Sequence, residues 1–279
     1  MAALIDPNDT NEVHSYRFKT YGVRVVVNSN YPDMIEQAAA VAKRSLLGKL
    51  REMKSGEGDL VFDLIRSPGG GSFRIFQNGT PLASGRSRKK FFSFFDSVLR
   101  AGVGEFNVDR VFIHAGVVGW KGKAILMPAD SFQGKSTLVA ELVRQGASYY
   151  SDDFAIFDED GLVHPFPRPL SLRSQDGNFR TYELTPEDLG GGYGNQALPV
   201  GLVLFTGYSA SARWSPKIIS PGAGVLELMK YALPLRRNPD FSLKVLNKIA
   251  SRAIIASGRR GTAEKFSTTL LKFVDKHVN

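Results

Sequence analysis

The chain has 279 residues, 43% of them apolar, contains no cysteine, and carries 36 Lys and Arg against 27 Asp and Glu for a formal charge of +9. That composition excludes disulfides and thiolate metal centres, and no apolar run approaches the roughly 20 residues that cross a bilayer. It predicts a cytoplasmic chain with enough length for one large domain or two modest ones, and the acid-bearing start, Met1 to Asp9, does not read as a secretion signal.

Tyr16 to Asn28 holds two β-rich runs around Gly22, of which Val23 to Val27 is the stronger. Pro32-Asp33 opens a helical pattern expected to run from Met34 to Glu52. Leu60 to Ile65 and Ser72 to Phe76 read as strands, separated by the turn Pro68-Gly-Gly-Gly71 and followed by the turn Asn78-Gly79. The densest basic run, Arg86 to Lys90, leads into Phe91-Phe-Ser-Phe-Phe95 and reads as the start of an amphipathic helix reaching Arg100. Residues 1–105 are therefore expected to form a small α+β unit of antiparallel strands with two helices. Nothing in the chain resembles an RNA-recognition aromatic motif or a zinc finger, so nucleic acid is not an expected partner.

A different texture begins near Phe106, and 106–279 is expected to be a second domain. Arg110 to His114 and Gly116 to Trp120 are short apolar stretches. Lys121-Gly122 turns the chain, and Lys123 to Met127 is a further strand. Only two residues join the strands on either side of that turn, which predicts an antiparallel hairpin and a mixed sheet. Thr137 to Gln145 is a helix with Leu138, Leu142 and Val143 inward and Gly146 beyond its end. Tyr149 to Phe157 reads as a strand interrupted by acids, and Pro165 to Pro169 as a stiff crossing. Tyr182 to Gln196, with Gly190-Gly-Gly192, is expected to be a long loop, either a lid or plain surface. Val200 to Phe205 is a buried strand. Leu226 to Ala232, Phe241 to Ala256 and Thr262 to Val278 are helices.

Between the hairpin and the first of these helices lies Ala129-Asp130-Ser131-Phe132-Gln133-Gly134-Lys135-Ser136, which fits [Ala/Gly]-x4-Gly-Lys-[Ser/Thr]. Such a loop wraps phosphate oxygens with successive backbone N–H groups, so a glycine is needed where a Cβ blocks the approach. Lys135 would place its charge on the β- and γ-phosphates. The Ser136 hydroxyl would ligate magnesium, and the helix opening at Thr137 would aim its positive end at the anion. The expected cofactors are ATP and Mg2+. A guanine-specific Asn-Lys-x-Asp run is absent, since Asn247-Lys248 is followed by Ile-Ala, and no Leu-Ser-Gly-Gly-Gln run marks a transporter ATPase. Asp152 and Asp153 arrive one helix and one strand start after Ser136, the spacing of small kinases, whose acids meet both metal and acceptor hydroxyl.

Together, His114-Ala-Gly116, the hairpin, the 129–136 loop, Ser151-Asp152-Asp153 and Pro165-Phe-Pro-Arg-Pro-Leu-Ser-Leu-Arg173 resemble the HPr kinase/phosphorylase superfamily, in particular its shorter HprK-related kinases. The resemblance implies a P-loop kinase core of α/β class with α+β character, built on a mixed, partly antiparallel sheet like that of phosphoenolpyruvate carboxykinase. It implies ATP-dependent phosphorylation of a seryl hydroxyl, with Asp152 as base, Asp153 holding magnesium with Ser136, and His114 matching the family histidine upstream of the loop lysine. The glycine-rich signature and the Pro-Gly-Arg-Asn element of the bifunctional enzymes are not present; Leu235-Arg-Arg-Asn-Pro239 lacks the Pro-Gly. From the residues alone, either acid of the pair can be base or ligand. Arg168 and Arg173 are candidate clamps for phosphate or an acidic substrate group. The acceptor is expected to be a hydroxyl on a peptide, a protein or a small metabolite such as an amino acid or polyol. The competing reading is a nucleotide-sensing module that binds ATP without transfer, and self-association is left open.

Overall fold

The computed structural model describes residues 13–130, 133–173 and 181–278. The chain divides into two compact units, Met1–Asp109 and Arg110–Asn279.

The first unit opens with β1 (His14–Thr20) and β2 (Val23–Ser29), joined through a tight turn with positive φ at Tyr21 and Gly22. Helix α1 (Pro32–Ser45) follows, then β3 (Arg51–Glu52), β4 (Leu60–Arg66), β5 (Phe73–Gln77), β6 (Thr80–Gly85) and α2 (Arg88–Glu105). The sheet order is β3-β1-β2-β4-β5-β6. Two expectations are corrected here. The α1 helix does not reach Glu52: Leu47 and Gly48 take left-handed φ of 55° and 69°, and the Gly48 N–H bonds back to the Lys43 carbonyl at 2.8 Å, closing the helix end. Nor is the sheet all antiparallel, because α1 lies in a crossover that leaves β2 and β4 parallel, Val25 facing Leu60. Ser87 caps α2 by accepting from the Lys90 N–H, and Phe91, Phe92 and Phe95 of that helix are buried. Phe95 packs edge-on against Phe62 of β4 with ring centroids 5.4 Å apart. Each such ring withdraws enough apolar area to contribute about 2 kcal/mol.

The second unit begins with β7 (Val111–Trp120), one continuous strand where two short stretches were expected, and β8 (Lys123–Pro128). Lys121 and Gly122, with φ of 48° and 80°, form the two-residue turn that makes β7 and β8 an antiparallel hairpin. Helix α3 (Lys135–Arg144) follows, then β9 (Ser148–Ser151), β10 (Phe154–Phe157), β11 (Leu162–His164), β12 (Leu170–Arg173) and β13 (Thr181–Leu184). The remaining elements are β14 (Leu198–Tyr208), β15 (Lys217–Ile218), α4 (Pro221–Met229), α5 (Pro239–Arg252), β16 (Ile254–Arg260) and α6 (Ala263–His277). The main sheet runs β11-β10-β7-β8-β14-β16-β15, with β9 also paired to β7. It is mixed: β8, β14 and β16 are mutually parallel, whereas β7 and β10 run against their neighbours. One apolar layer packs α4 and α5 on one face, with Leu228, Val245 and Leu246 against Val203 and Ile255. The other packs α3 and α6, with Leu138, Leu142, Leu270 and Val274 around Leu202 and Leu204.

Two further expectations fail in this unit. The stretch from Tyr182 to Gln196 is not all loop, since Thr181–Leu184 pairs with Leu170–Arg173. The α5 helix stops at Arg252 rather than Ala256, and Ile254–Arg260 is a strand paired in parallel with β14 along its whole length. Two adjacent β-branched residues, Ile254 and Ile255, satisfy a parallel ladder better than a helix end.

Candidate functional site

The parallel strands β8, β14 and β16 all end on one side of the sheet, and the 129–136 segment leaves β8 at that side. Ala129 is buried, Asp130 and Gln133 are exposed, and Ser131 and Phe132 lie outside the described residues. Gly134 is the N-cap of α3 with φ 75°, a left-handed conformation that favours glycine. The first helical bond runs from the Leu138 N–H to the Gly134 carbonyl at 3.1 Å, so the amides of Lys135, Ser136 and exposed Thr137 have no partner within the helix. That is the positive end of a helix presented to solvent.

A break in the sheet positions the acids. Strand β9 pairs with β7 at Val117 to Gly119 and β10 pairs with it at Val111 to His114, which leaves Asp152 and Asp153 between the two ladders. Buried Ser151 makes that break, its hydroxyl accepting from the Asp153 and Phe154 amides at 3.2 Å each. The acids thus face β7 beside Gly116. A Cβ on Gly116 would stand 2.6 Å from Val139 and 3.2 Å from the Lys135 stem, so this glycine lets α3 lie close against the strand.

Four sequence-selected side chains meet there. Lys135 Nζ is 2.9 Å from His114 Nε2, His114 Nδ1 is 3.8 Å from Asp153 Oδ1, and Asp153 Oδ2 is 3.5 Å from Arg168 Nη1. Burial holds the Lys135 ammonium below its ordinary pKa, against the opposing pull of Asp152, Asp153 and Asp130. Burial likewise lowers His114, and the Lys135 charge lowers it further. An ammonium only donates, so His114 Nε2 accepts and the ring proton sits on Nδ1, toward Asp153. The edge of Phe154, with its centroid 5.5 Å away, flanks the imidazole.

Asp152 has different surroundings. Its carboxylate is within hydrogen-bonding reach of the Ser136 hydroxyl and the Ser171 amide, and it feels the Lys135 charge. Burial outweighs all three and pushes its pKa up to about 7. Its Oδ1 atom is shut off from solvent and has no hydrogen-bond partner among the described residues. The pair is therefore divided: Asp152 lies with Ser136, Asp153 with His114 and Arg168. This is the reverse of the arrangement that the family resemblance implies, in which Asp153 joins Ser136. Arg173 is exposed at the end of β12.

An orphaned carboxylate oxygen next to a serine hydroxyl fits a hard, oxygen-seeking cation such as magnesium. Among the described residues no group of three or more His, Cys, Asp and Glu is placed to hold a metal ion. Beside the loop, a cavity of about 310 Å³ opens at the ends of β14 and β16, lined by Gln133, Thr206, Glu227, Tyr231 and Arg259 among others.

No family model matches the chain, and no curated protein matches it. Among solved structures it is similar to "Structure of the Hpr(Ser) kinase/phosphatase from Coxiella burnetii", with a TM-score of 0.36 and 11% identity over 59% of this chain and 96% of that one. Among the described residues no helix is long and apolar enough to cross a membrane.

One residue of this region escaped the sequence reading. Arg260, at the end of β16, is 2% exposed and sends its guanidinium to the loop, with Nη2 donating to the Gly134 carbonyl at 2.8 Å and reaching the Gln133 carbonyl at 3.4 Å. The available signal was Ile254-Ile255 followed by Gly258, a strand pattern hidden behind an overextended helix.

Proposed function

We propose that this chain is an ATP-dependent kinase that transfers the γ-phosphoryl group to a hydroxyl of a peptide, protein or small metabolite. The observation that carries the proposal is the convergence of Lys135, Ser136 and the Asp152-Asp153 pair at the open N-terminus of α3. In this reading the amides of Gly134 to Thr137 and the Lys135 ammonium bind and orient the triphosphate. Ser136 and Asp152 hold magnesium, which when bound neutralises charge on the transferring phosphoryl group. Asp153 takes the proton of the acceptor hydroxyl, with Arg168 beside one carboxylate oxygen and the His114 ring held by the Asp153 main-chain carbonyl. His114 also accepts from Lys135 and so keeps that long side chain aimed. The cavity bounded by Gln133, Thr206 and Tyr231 adjoins the loop and offers room for the acceptor.

The test is transfer of labelled phosphate from ATP to serine-containing peptides, free serine and polyols, run beside calorimetric Mg·ATP binding. The proposal expects binding and transfer in the wild type and loss of both in Lys135→Ala with the fold retained. Tight Mg·ATP binding with no transfer to any acceptor would hand the site to the sensing reading. Unchanged affinity in folded Lys135→Ala would remove the phosphate-loop assignment itself.

A further inference from the structure

Arg260 is a cation buried where burial is costly. Its Nη2 contacts the Gln133 and Gly134 carbonyls, its Nη1 donates to the Gly261 carbonyl at 3.1 Å, and its buried Nε has no partner among the described residues. Among the described residues no carboxylate forms an ion pair with it. The Tyr208 and Phe266 rings flank it, each with its centroid 6.0 Å from the guanidinium carbon. Desolvation penalises a charge held this way, and main-chain dipoles only partly offset the cost. The missing counter-charge is explained if an anion occupies the other face of the loop.

The backbone of the loop points the same way. In a loop that cradles phosphate, the amides point inward, so the carbonyls point outward and need partners of their own. Arg260 is that partner for Gln133 and a second donor to the Gly134 carbonyl, which also accepts from the Leu138 N–H; both contacts come from Nη2, while the other arm of the guanidinium fork, Nη1, goes to the Gly261 carbonyl. The same grip constrains Gly134: a Cβ there would stand 2.8 Å from Arg260 Nη2, so the glycine makes room for the guanidinium as well as supplying positive φ.

We infer that Arg260 is a positioning residue for Gln133 and Gly134, fixing their carbonyls from behind so that the amides opening α3 stay aimed at a polyphosphate, whose negative charge Arg260 helps to balance. This rests on the proposed nucleotide-binding role of the loop. Arg260 does not touch the reacting atoms, so its loss acts on binding before it acts on chemistry.

The test compares Arg260→Lys and Arg260→Met with the wild type and Lys135→Ala. It uses calorimetry with Mg·ATP and Mg·ADP, amide hydrogen exchange over Gly134 to Ser136, and steady-state transfer. Arg260→Lys keeps the charge but loses the fork, and is expected to weaken Mg·ATP about 10-fold. Arg260→Met loses both and is expected to cost about 100-fold, less for Mg·ADP than for Mg·ATP. Amide exchange should quicken in both variants, and KM should rise while kcat stays within about threefold. A merely structural arginine would lower the melting temperature without this dependence on phosphate number. Should neither variant fold, Tyr208→Ala loosens the guanidinium from its exposed side and is expected to weaken Mg·ATP a few-fold; no change there overturns the inference. If Lys135→Ala loses Mg·ATP while the Arg260 variants bind as the wild type does, the inference falls and the nucleotide reading stands. If the wild type itself binds no Mg·ATP, both fall.

Discussion

Lys135 and His114, which come from the first turn of α3 and from the strand β7, meet at 2.9 Å between Nζ and Nε2. The contact fixes the charge state of the imidazole. A protonated His114 would set two cations against each other in a half-buried site, so the ring stays neutral with its proton on Nδ1. The His114 pKa lies below the ordinary 6.5, so in heteronuclear NMR the ring is expected to remain a neutral Nδ1–H tautomer at pH 6.5. An imidazolium signal for His114 at that pH would contradict the arrangement. His114→Ala is expected to lower transfer about 10-fold or more with the fold intact, because Lys135 loses its acceptor.

The division of the two acids gives each variant a distinct signature. Ser136→Ala and Asp152→Asn should raise the magnesium concentration needed for half-maximal transfer several-fold, since each removes one oxygen ligand of a hard cation. Asp153→Asn should leave the magnesium titration in place and lower the rate by about 10²- to 10⁴-fold, the usual contribution of a general base. A magnesium shift in Asp153→Asn, with only a rate loss in Asp152→Asn, would restore the opposite assignment.

Asp152 also sets a pH dependence of stability in the metal-free protein. Its folded pKa, raised to about 7 by burial, lies above the value of an exposed carboxyl, so the folded state holds the proton more tightly than the unfolded one. Stability from this group is present in acid and is lost as pH rises from about 4 through 7. With chelator present, Asp152→Asn should therefore be more stable than the wild type at pH 8 by about 1–3 kcal/mol and equal to it near pH 4. Chemical denaturation at the two pH values measures this, and an equal difference at both would refute it.

Gly134 meets two demands at once, a φ of 75° and the nearness of Arg260 Nη2. Gly134→Ala should lower stability by about 1–2 kcal/mol from the left-handed strain alone. Mg·ATP affinity should fall at least 10-fold as the guanidinium is displaced from the loop carbonyls. Thermal melts and calorimetry on the same samples separate the two effects. A folded variant with wild-type affinity would show that the loop has room to spare.

What the sequence determined by itself is local. The Lys121-Gly122 turn, the β7–β8 hairpin, the helix that follows Gly134 and the acid pair one helix later depend on backbone preferences and apolar spacing within a few residues. Those signals survive without knowledge of the partner segments. Tertiary structure decided the rest. Whether Ile254–Arg260 is helix or strand depended on the free edge of β14, whose seven pairings outweigh the helical propensity of the preceding residues. That strand carries Arg260 to the loop from 126 residues away, a distance at which sequence spacing holds no information. The same holds for the two aspartates. They are adjacent and chemically identical, and what separates them is the Ser151-centred break between β9 and β10, which turns one toward Ser136 and the other toward His114 and Arg168. Alternation along an extended chain sends neighbouring side chains in opposite directions, but only the packed sheet fixes which residue lies on each side.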